Sequence, residues 1–231
     1  MATSPLANPG SSISAYQEAS QPIQRRHLFE PPRPIRTIAE LRKLWELDTE
    51  AYQECAIPFE VFRRWWQRYP HGNTVIFEGD RIIASIGKWA LTPEQYEQLS
   101  SGAIAESDLQ PMPLSRFEKH CTNGASRIQR HTHWYLSGIV LAEEYRGRVR
   151  NNPIVPLLEY AIPSWVESNR VAFPLQVAAL GEYVEGINLL EGFGFEQRRD
   201  RSEMPDGCGL YELTIDSEER AQSLLKARNL R

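Results

Sequence analysis

Cysteine is scarce. The chain of 231 residues holds three, Cys55, Cys121 and Cys208. They are odd in number, far apart and without metal-type spacing. That argues against a disulfide framework or a metal module and for a reduced, cytoplasmic setting. Long apolar runs are missing as well. Mean hydropathy is -0.48, and no run approaches the ~20 residues a membrane helix needs. A helical membrane span is therefore excluded. Positive charge is not in excess: 26 Lys and Arg face 30 Asp and Glu, a net charge of -4. A globally basic nucleic-acid binder is disfavoured, while a local basic patch stays open. The N-terminus lacks the basic start and apolar core of a secretory signal. Its Ser-rich, acid-poor opening has no Lys or Arg before Arg25. A plastid transit peptide is thus kept only as the lesser alternative to a disordered tail.

What is present is ordinary globular composition, with 41% hydrophobic and 24% charged residues. The length suits one large domain or two small ones. Residues 1–34 carry six of the 16 prolines and too little apolar surface to offset the entropy of ordering. They are expected to form a disordered arm, followed by a folded domain over 35–216 and a C-terminal helix over 217–231.

Within the folded part, Ile35–Ile38 reads as a short strand. Thr37 then caps a helix over Ala39–Gln53 with Leu41, Leu44, Trp45 and Leu47 on one face. Pro58 opens a second helix carrying Phe59, Phe62, Trp65 and Trp66. Residues 74–89 read as a hairpin around Glu78-Gly79-Asp80. Thr92 starts another short helix, and residues 100–130 read as an insertion. Strands at Trp134–Leu141, Leu175–Leu180 and Cys208–Ile215 alternate with helices over 153–168 and 182–191, Pro156 and Pro163 being possible kinks. A capping box starts a last helix at Asp216. Strand–helix–strand order in the second half requires a parallel, right-handed crossover, and the hairpin requires antiparallel pairing. The expected fold is therefore α/β, a mixed, mostly antiparallel sheet with helices on both faces.

The segment from Gly138 to Asn152 places a strand end, a loop with Arg146, Arg148 and Arg150, and a helix start in sequence. A helix start with mobile arginines suits a pyrophosphate or phosphopantetheine, and equally a solvated charged turn. His131 and His133 alternate on a strand and can serve as base or metal ligands, or have no role. Trp65, Trp66 and Tyr69 read as core, with an acceptor-site lining as the alternative.

Glu144-Tyr145-Arg146-Gly147-Arg148 resembles the acyl-CoA-binding turn of the GNAT acyltransferase superfamily. Glu191-Gly192-Phe193-Gly194-Phe195 resembles the ending of that family's fourth helix, and Leu175–Leu180 its fifth strand. The resemblance spans about residues 35–215. It implies an N-acetyltransferase that moves an acetyl group from acetyl-CoA to a primary amine, on a small molecule or a protein, by direct attack in a ternary complex and without a metal. A donor on an acyl-carrier protein and a non-catalytic CoA-binding module are the alternatives. Cofactor contacts are implied for Ile139, Val140 and Leu141 on the strand and for Arg146, Gly147, Arg148, Val149, Arg150 and Asn151 in the turn. Val149 and Asn151 stand where the family has glycines. Leu190 stands where many relatives have a proton-donating tyrosine. Tyr183, two turns upstream in the expected helix, is the substitute acid, with Tyr211 a weaker one. Ser137 stands near where a carboxylate base is often found, so no such base is visible.

Overall fold

The computed structural model describes residues 29–113, 131–147, 151–167 and 171–226. A seven-stranded sheet forms the centre, in the order β1-β2-β3-β4-β5-β7-β6. The strands are β1 (Arg33–Pro34), β2 (Asn73–Glu78), β3 (Arg81–Ala90), β4 (His131–Leu141), β5 (Val171–Gly181), β6 (Glu196–Arg199) and β7 (Gly209–Ile215). Every neighbouring pair is antiparallel except β4 and β5, which are parallel. The helices are α1 (Ile38–Tyr52), α2 (Phe59–Arg68), α3 (Pro93–Ser100), α4 (Ile154–Glu167), α5 (Val184–Gly192) and α6 (Glu218–Lys226). The mixed sheet expected from the sequence is thus observed. No helix among the described residues is long and apolar enough to cross a membrane.

Local signals explain most boundaries. Thr37 caps α1, its hydroxyl accepting from the Glu40 amide at 3.1 Å. Thr92 does the same for α3 through Gln95. Trp65 of α2 is 1% exposed and meets Trp89 of β3 edge-on at 5.4 Å. Together with buried Tyr69 it belongs to the core, as expected.

Four details differ from expectation. The first strand lies at Arg33–Pro34, ahead of Ile35, because Arg33 is tied to Glu40 at 2.9 Å and lies over the Phe77 ring at 4.2 Å. Helix α5 begins at Val184, so Tyr183 is its extended cap residue and shares no helical face with Leu190. Strand β6 has the polar sequence Glu-Gln-Arg-Arg and an exposed flank, so it lacks the apolar alternation that marks a strand. Helix α4 runs as one helix past both prolines. Pro156 falls in its first turn, where the amide would have no intrahelical acceptor. Residues 1–28 and 114–130, with Cys121, lie outside the described residues.

Candidate active site

Strand β4 departs from β5 partway along its length. The parallel pairing ends at Leu136 and Ala179, while β4 continues beside β3 to Leu141. A bulge at Gly138 marks the departure, with Ser137 opposite Gly87 and Ile139 opposite Ile86. The Ala142 amide donates to Ile83 O. In an antiparallel ladder alternate residues face the same neighbour. Ile139 and Leu141 therefore turn their main-chain groups toward the gap, and Val140 turns its own toward β3. Of the three strand residues singled out for cofactor contact, Ile139 and Leu141 thus point main-chain groups at this edge, the Leu141 carbonyl being taken by the Arg146 side chain.

The turn beyond the strand begins with a 3-10 turn at Glu143–Tyr145. Tyr145 is buried and donates to Glu78 Oε1 at 2.7 Å, while Arg81 pairs with Glu144. Arg146 is exposed, and its Nε donates to Leu141 O at 3.0 Å, returning across the strand end. Gly147 takes φ +69°. Asn151 takes φ 55°, the left-handed conformation that asparagine tolerates best after glycine. Asn151 thereby supplies a conformation that a glycine would have supplied. Asn152 Oδ1 accepts from the Ile154 amide and caps α4. Arg148, Val149 and Arg150 lie outside the described residues.

On the α1 side of the sheet, next to the gap, lies a pocket of ≈ 580 Å³ including its open mouth. Leu44, Asp48 and Tyr52 of α1 reach it at i, i+4 and i+8. Its floor is a row across three strands, Asn73, Gly87 and Ser137. A Cβ on Gly87 would lie 1.9 Å from Ser137 Oγ and 3.2 Å from Asn73 Oδ1. The missing side chain therefore makes the notch. Ser137 Oγ accepts from Trp89 Nε1 at 2.7 Å and keeps its own proton to donate.

The wall opposite α1 comes from the segment after α3. Arg64, Trp65 and Arg68 of α2 donate to the carbonyls of Ser107, Leu109 and Pro111. These bonds hold the 3-10 turn at Glu106–Asp108 over the sheet. The Glu106 amide donates to Asp206 Oδ2 at 2.6 Å, and Tyr135 OH donates to Glu106 Oε1 at 2.5 Å. A carboxylate thus stands in the pocket after all, delivered from a loop and not from β4.

Burial pushes the Glu106 carboxyl up to about 7, against the Tyr135 hydrogen bond, with Asp206 and Glu182 adding to the rise. Burial, and then the charge of Glu106, pushes Asp48 up to about 8. Asp48 is 5% exposed, and no donor among the described residues bonds its carboxyl. One oxygen lies 3.3 Å from where a Cβ on Gly138 would sit. Cys55 is raised to about 11, first by a hydrogen bond to Glu182, and Cys208 to about 12, first by burial. Both thiols line the pocket in protonated form.

Tyr183 is 41% exposed, stacks on Tyr52 with ring centroids 6.2 Å apart, and donates to Tyr52 O at 3.4 Å. Partial burial and Glu182 raise its hydroxyl above the usual range. Leu190 and Tyr211 are buried. His133 lies against Tyr96 at 4.9 Å and does not line the pocket. Asp48, Glu106 and Asn73 were not singled out from the sequence. Asp48 carried one signal, an acid spaced i+4 from Leu44 in an apolar helix stripe. Glu106 carried none, because its insertion has no period.

No protein-family model matches the sequence, and comparison with curated proteins finds no match. Solved structures do match. The loading GNATL domain of CurA from Lyngbya majuscula is 14% identical, covers 83% of this chain and 98% of its own, and superposes with a TM-score of 0.54. The GphF GNAT-like decarboxylase in complex with isobutyryl-CoA is 14% identical over 80% of this chain and 99% of its own, at 0.53. Ard1 from Thermoplasma volcanium is 12% identical over 80% and 97%, at 0.50. The parted β4 and β5, the turn at Arg146 and these superpositions agree: the chain has the fold of the GNAT acyltransferase superfamily.

Proposed function

We propose that the protein is a CoA-thioester-dependent N-acyltransferase acting on a primary amine, with acetyl-CoA as donor. The carrying observation is the opening of β4 away from β5 beside a pocket that holds two carboxyls of raised pKa. The isobutyryl-CoA complex of GphF supports a CoA-type ligand in a fold of this kind.

The residues fit such a ligand. Ile139 presents main-chain groups at the gap beside Leu141, whose carbonyl the Arg146 side chain holds, and the segment of Arg146, Gly147, Arg148, Val149, Arg150 and Asn151 would receive the pyrophosphate. The thioester would supply an activated acyl group. On the other side of the gap, Glu106 accepts the proton that an ammonium must lose to become a nucleophile, while Asp48, raised to about 8, is mostly protonated at neutral pH. A base with a pKa near 7 is well matched to neutral pH. The backbone N–H groups at the β4 edge polarise a carbonyl placed there. Tyr183, stacked on the pocket-lining Tyr52 and next in sequence to the pocket-lining Glu182, is the proposed proton donor to the departing thiolate.

Incubation of the full chain with acetyl-CoA and a panel of primary amines, with thiol release measured, tests this reading. Amine-dependent release is expected. Binding of CoA without release for any amine would leave a binding module in place of an enzyme.

A further inference from the structure

Two side chains of α1, one turn apart, stand over a single point of β4. A Cβ on Gly138 would lie 3.3 Å from Asp48 Oδ1 and 3.6 Å from Tyr52 Cε2. Gly138 is the bulge at which β4 leaves β5. With no side chain there, the space between that backbone and the two α1 groups stays open. Asp48 and Tyr52 both line the pocket. No hydrogen bond among the described residues engages the Asp48 carboxyl or the Tyr52 hydroxyl, and neither group is sealed off from the pocket. Tyr52 is held without using its hydroxyl. Its ring stacks on Tyr183, and its carbonyl, at the end of α1, accepts from Tyr183 OH at 3.4 Å.

The surroundings decide what the pair can offer. The titratable groups that face it are Glu106 in the 3-10 turn after α3, Tyr135 of β4, Glu182 after β5, and the thiols of Cys55 and Cys208. No cation lines the pocket among the described residues. Burial first, and then nearby carboxylates, raise both members of the pair, Asp48 to about 8 and Tyr52 above its usual range. Between about 7 and about 8, Glu106 is therefore ionised while Asp48 still holds its proton. A protonated carboxyl and a phenol each have a proton to donate. Two neutral donors converging in a desolvated site suit an oxygen that gains negative charge during a reaction.

We infer that Asp48 and Tyr52 form an oxyanion site, both donating to the carbonyl oxygen of a thioester held at the Gly138 bulge. The inference rests on the acyl-transfer reading for the reaction, and on the geometry alone for the two hydrogen bonds. As the amine nitrogen bonds to the carbonyl carbon, the carbon–oxygen π pair moves onto oxygen and both hydrogen bonds strengthen. Return of that pair re-forms the carbonyl, and the carbon–sulfur pair leaves on the thiolate. The amine proton passes to Glu106, while Asp48 and Tyr52 keep theirs throughout.

Infrared difference spectroscopy of carbonyl-labelled acetyl-CoA bound to the full chain tests it. The carbonyl stretch should fall below its value in water. Tyr52→Phe and Asp48→Leu should each move it back, and Asp48→Asn, whose amide still donates, should keep more of the shift than Asp48→Leu. With an amine that supports thiol release, Tyr52→Phe and Asp48→Leu should each lower kcat by about 10²-fold. Above about pH 8 the parent should lose rate relative to Asp48→Asn, because an ionised Asp48 has no proton to donate. A stretch unmoved by binding, or moved as far in folded Tyr52→Phe and Asp48→Leu proteins as in the parent, overturns the inference. A parent rate that gains on Asp48→Asn through that pH would make Asp48 a base and also overturns it. A lowered stretch without thiol release for any amine would remove the acyl-transfer reading and keep the hydrogen bonds. Thiol release with an unmoved stretch would do the reverse, and failure of acetyl-CoA to bind would remove both.

Discussion

The hydroxyl of Tyr135, in the middle of β4, donates to Glu106 Oε1 at 2.5 Å across 29 residues of chain. This bond ties the insertion to the sheet at the point where β4 and β5 separate. It also opposes the burial that raises the Glu106 carboxyl.

That opposition gives a signed prediction. Removing the donor with Tyr135→Phe raises the Glu106 pKa above about 7. A base acts only when ionised, so activity falls as pH drops through its pKa. The acid limb of the kcat/KM profile in Tyr135→Phe should move to higher pH. Glu106→Gln should lower kcat by ~10²–10⁴-fold, the usual worth of general-base help. An unshifted limb in a folded Tyr135→Phe protein would show that another group controls it.

Asp48 predicts a stability effect of the opposite sign to a surface carboxylate. Its folded pKa is raised from 3.8 to about 8. Between these values the folded state holds a proton that the unfolded state has released. Stability from this group is present below pH 3.8 and lost as pH rises toward 8, by at most about 1.4 kcal/mol per pH unit. Asp48→Asn keeps the shape of the neutral acid. It should raise Tm at pH 8–9 relative to the parent and change it little at pH 4, as followed by thermal unfolding.

Gly87 should tolerate no side chain. Gly87→Ala places a Cβ 1.9 Å from Ser137 Oγ. The serine must turn away from Trp89 Nε1, leaving a buried indole N–H without its acceptor. A loss of about 1–3 kcal/mol in denaturant unfolding is expected, together with weaker amine binding.

Arg146 is exposed and already oriented by Leu141 O. Arg146→Ala should weaken CoA binding by about ten-fold, the size of one charge-assisted contact, and leave Tm nearly unchanged. Calorimetry with CoA reads this directly.

Tyr183 rests on Tyr52 through ring stacking and one long hydrogen bond to its carbonyl. Tyr183→Phe keeps the stack and removes the proton. If the hydroxyl protonates the leaving thiolate, kcat falls by about ten-fold or more while CoA affinity stays near its parent value. An unchanged kcat assigns the tyrosine to packing alone.

The order of elements was legible in the sequence because it is written in local physics. Hydrophobic period marked α1 and β4, Thr37 and Thr92 marked helix starts, and the Gly138–Asn152 run marked a strand, a turn and a helix start. These signals act within a few residues and need no partner. The conformation at Asn151 was only half legible, since the residue type allows a left-handed backbone without requiring it. Strand β6 was illegible because its polar residues flank β7 at an exposed edge. The pocket was decided by tertiary structure alone. Asp48 is one acid in an apolar stripe until α1 is laid over the bulge at Gly138. Glu106 is a polar residue in an aperiodic insertion until three donors on α2 fasten that segment over the sheet. Desolvation and proximity raise their pKa values, and both depend on what packs around a group, which no stretch of sequence carries by itself.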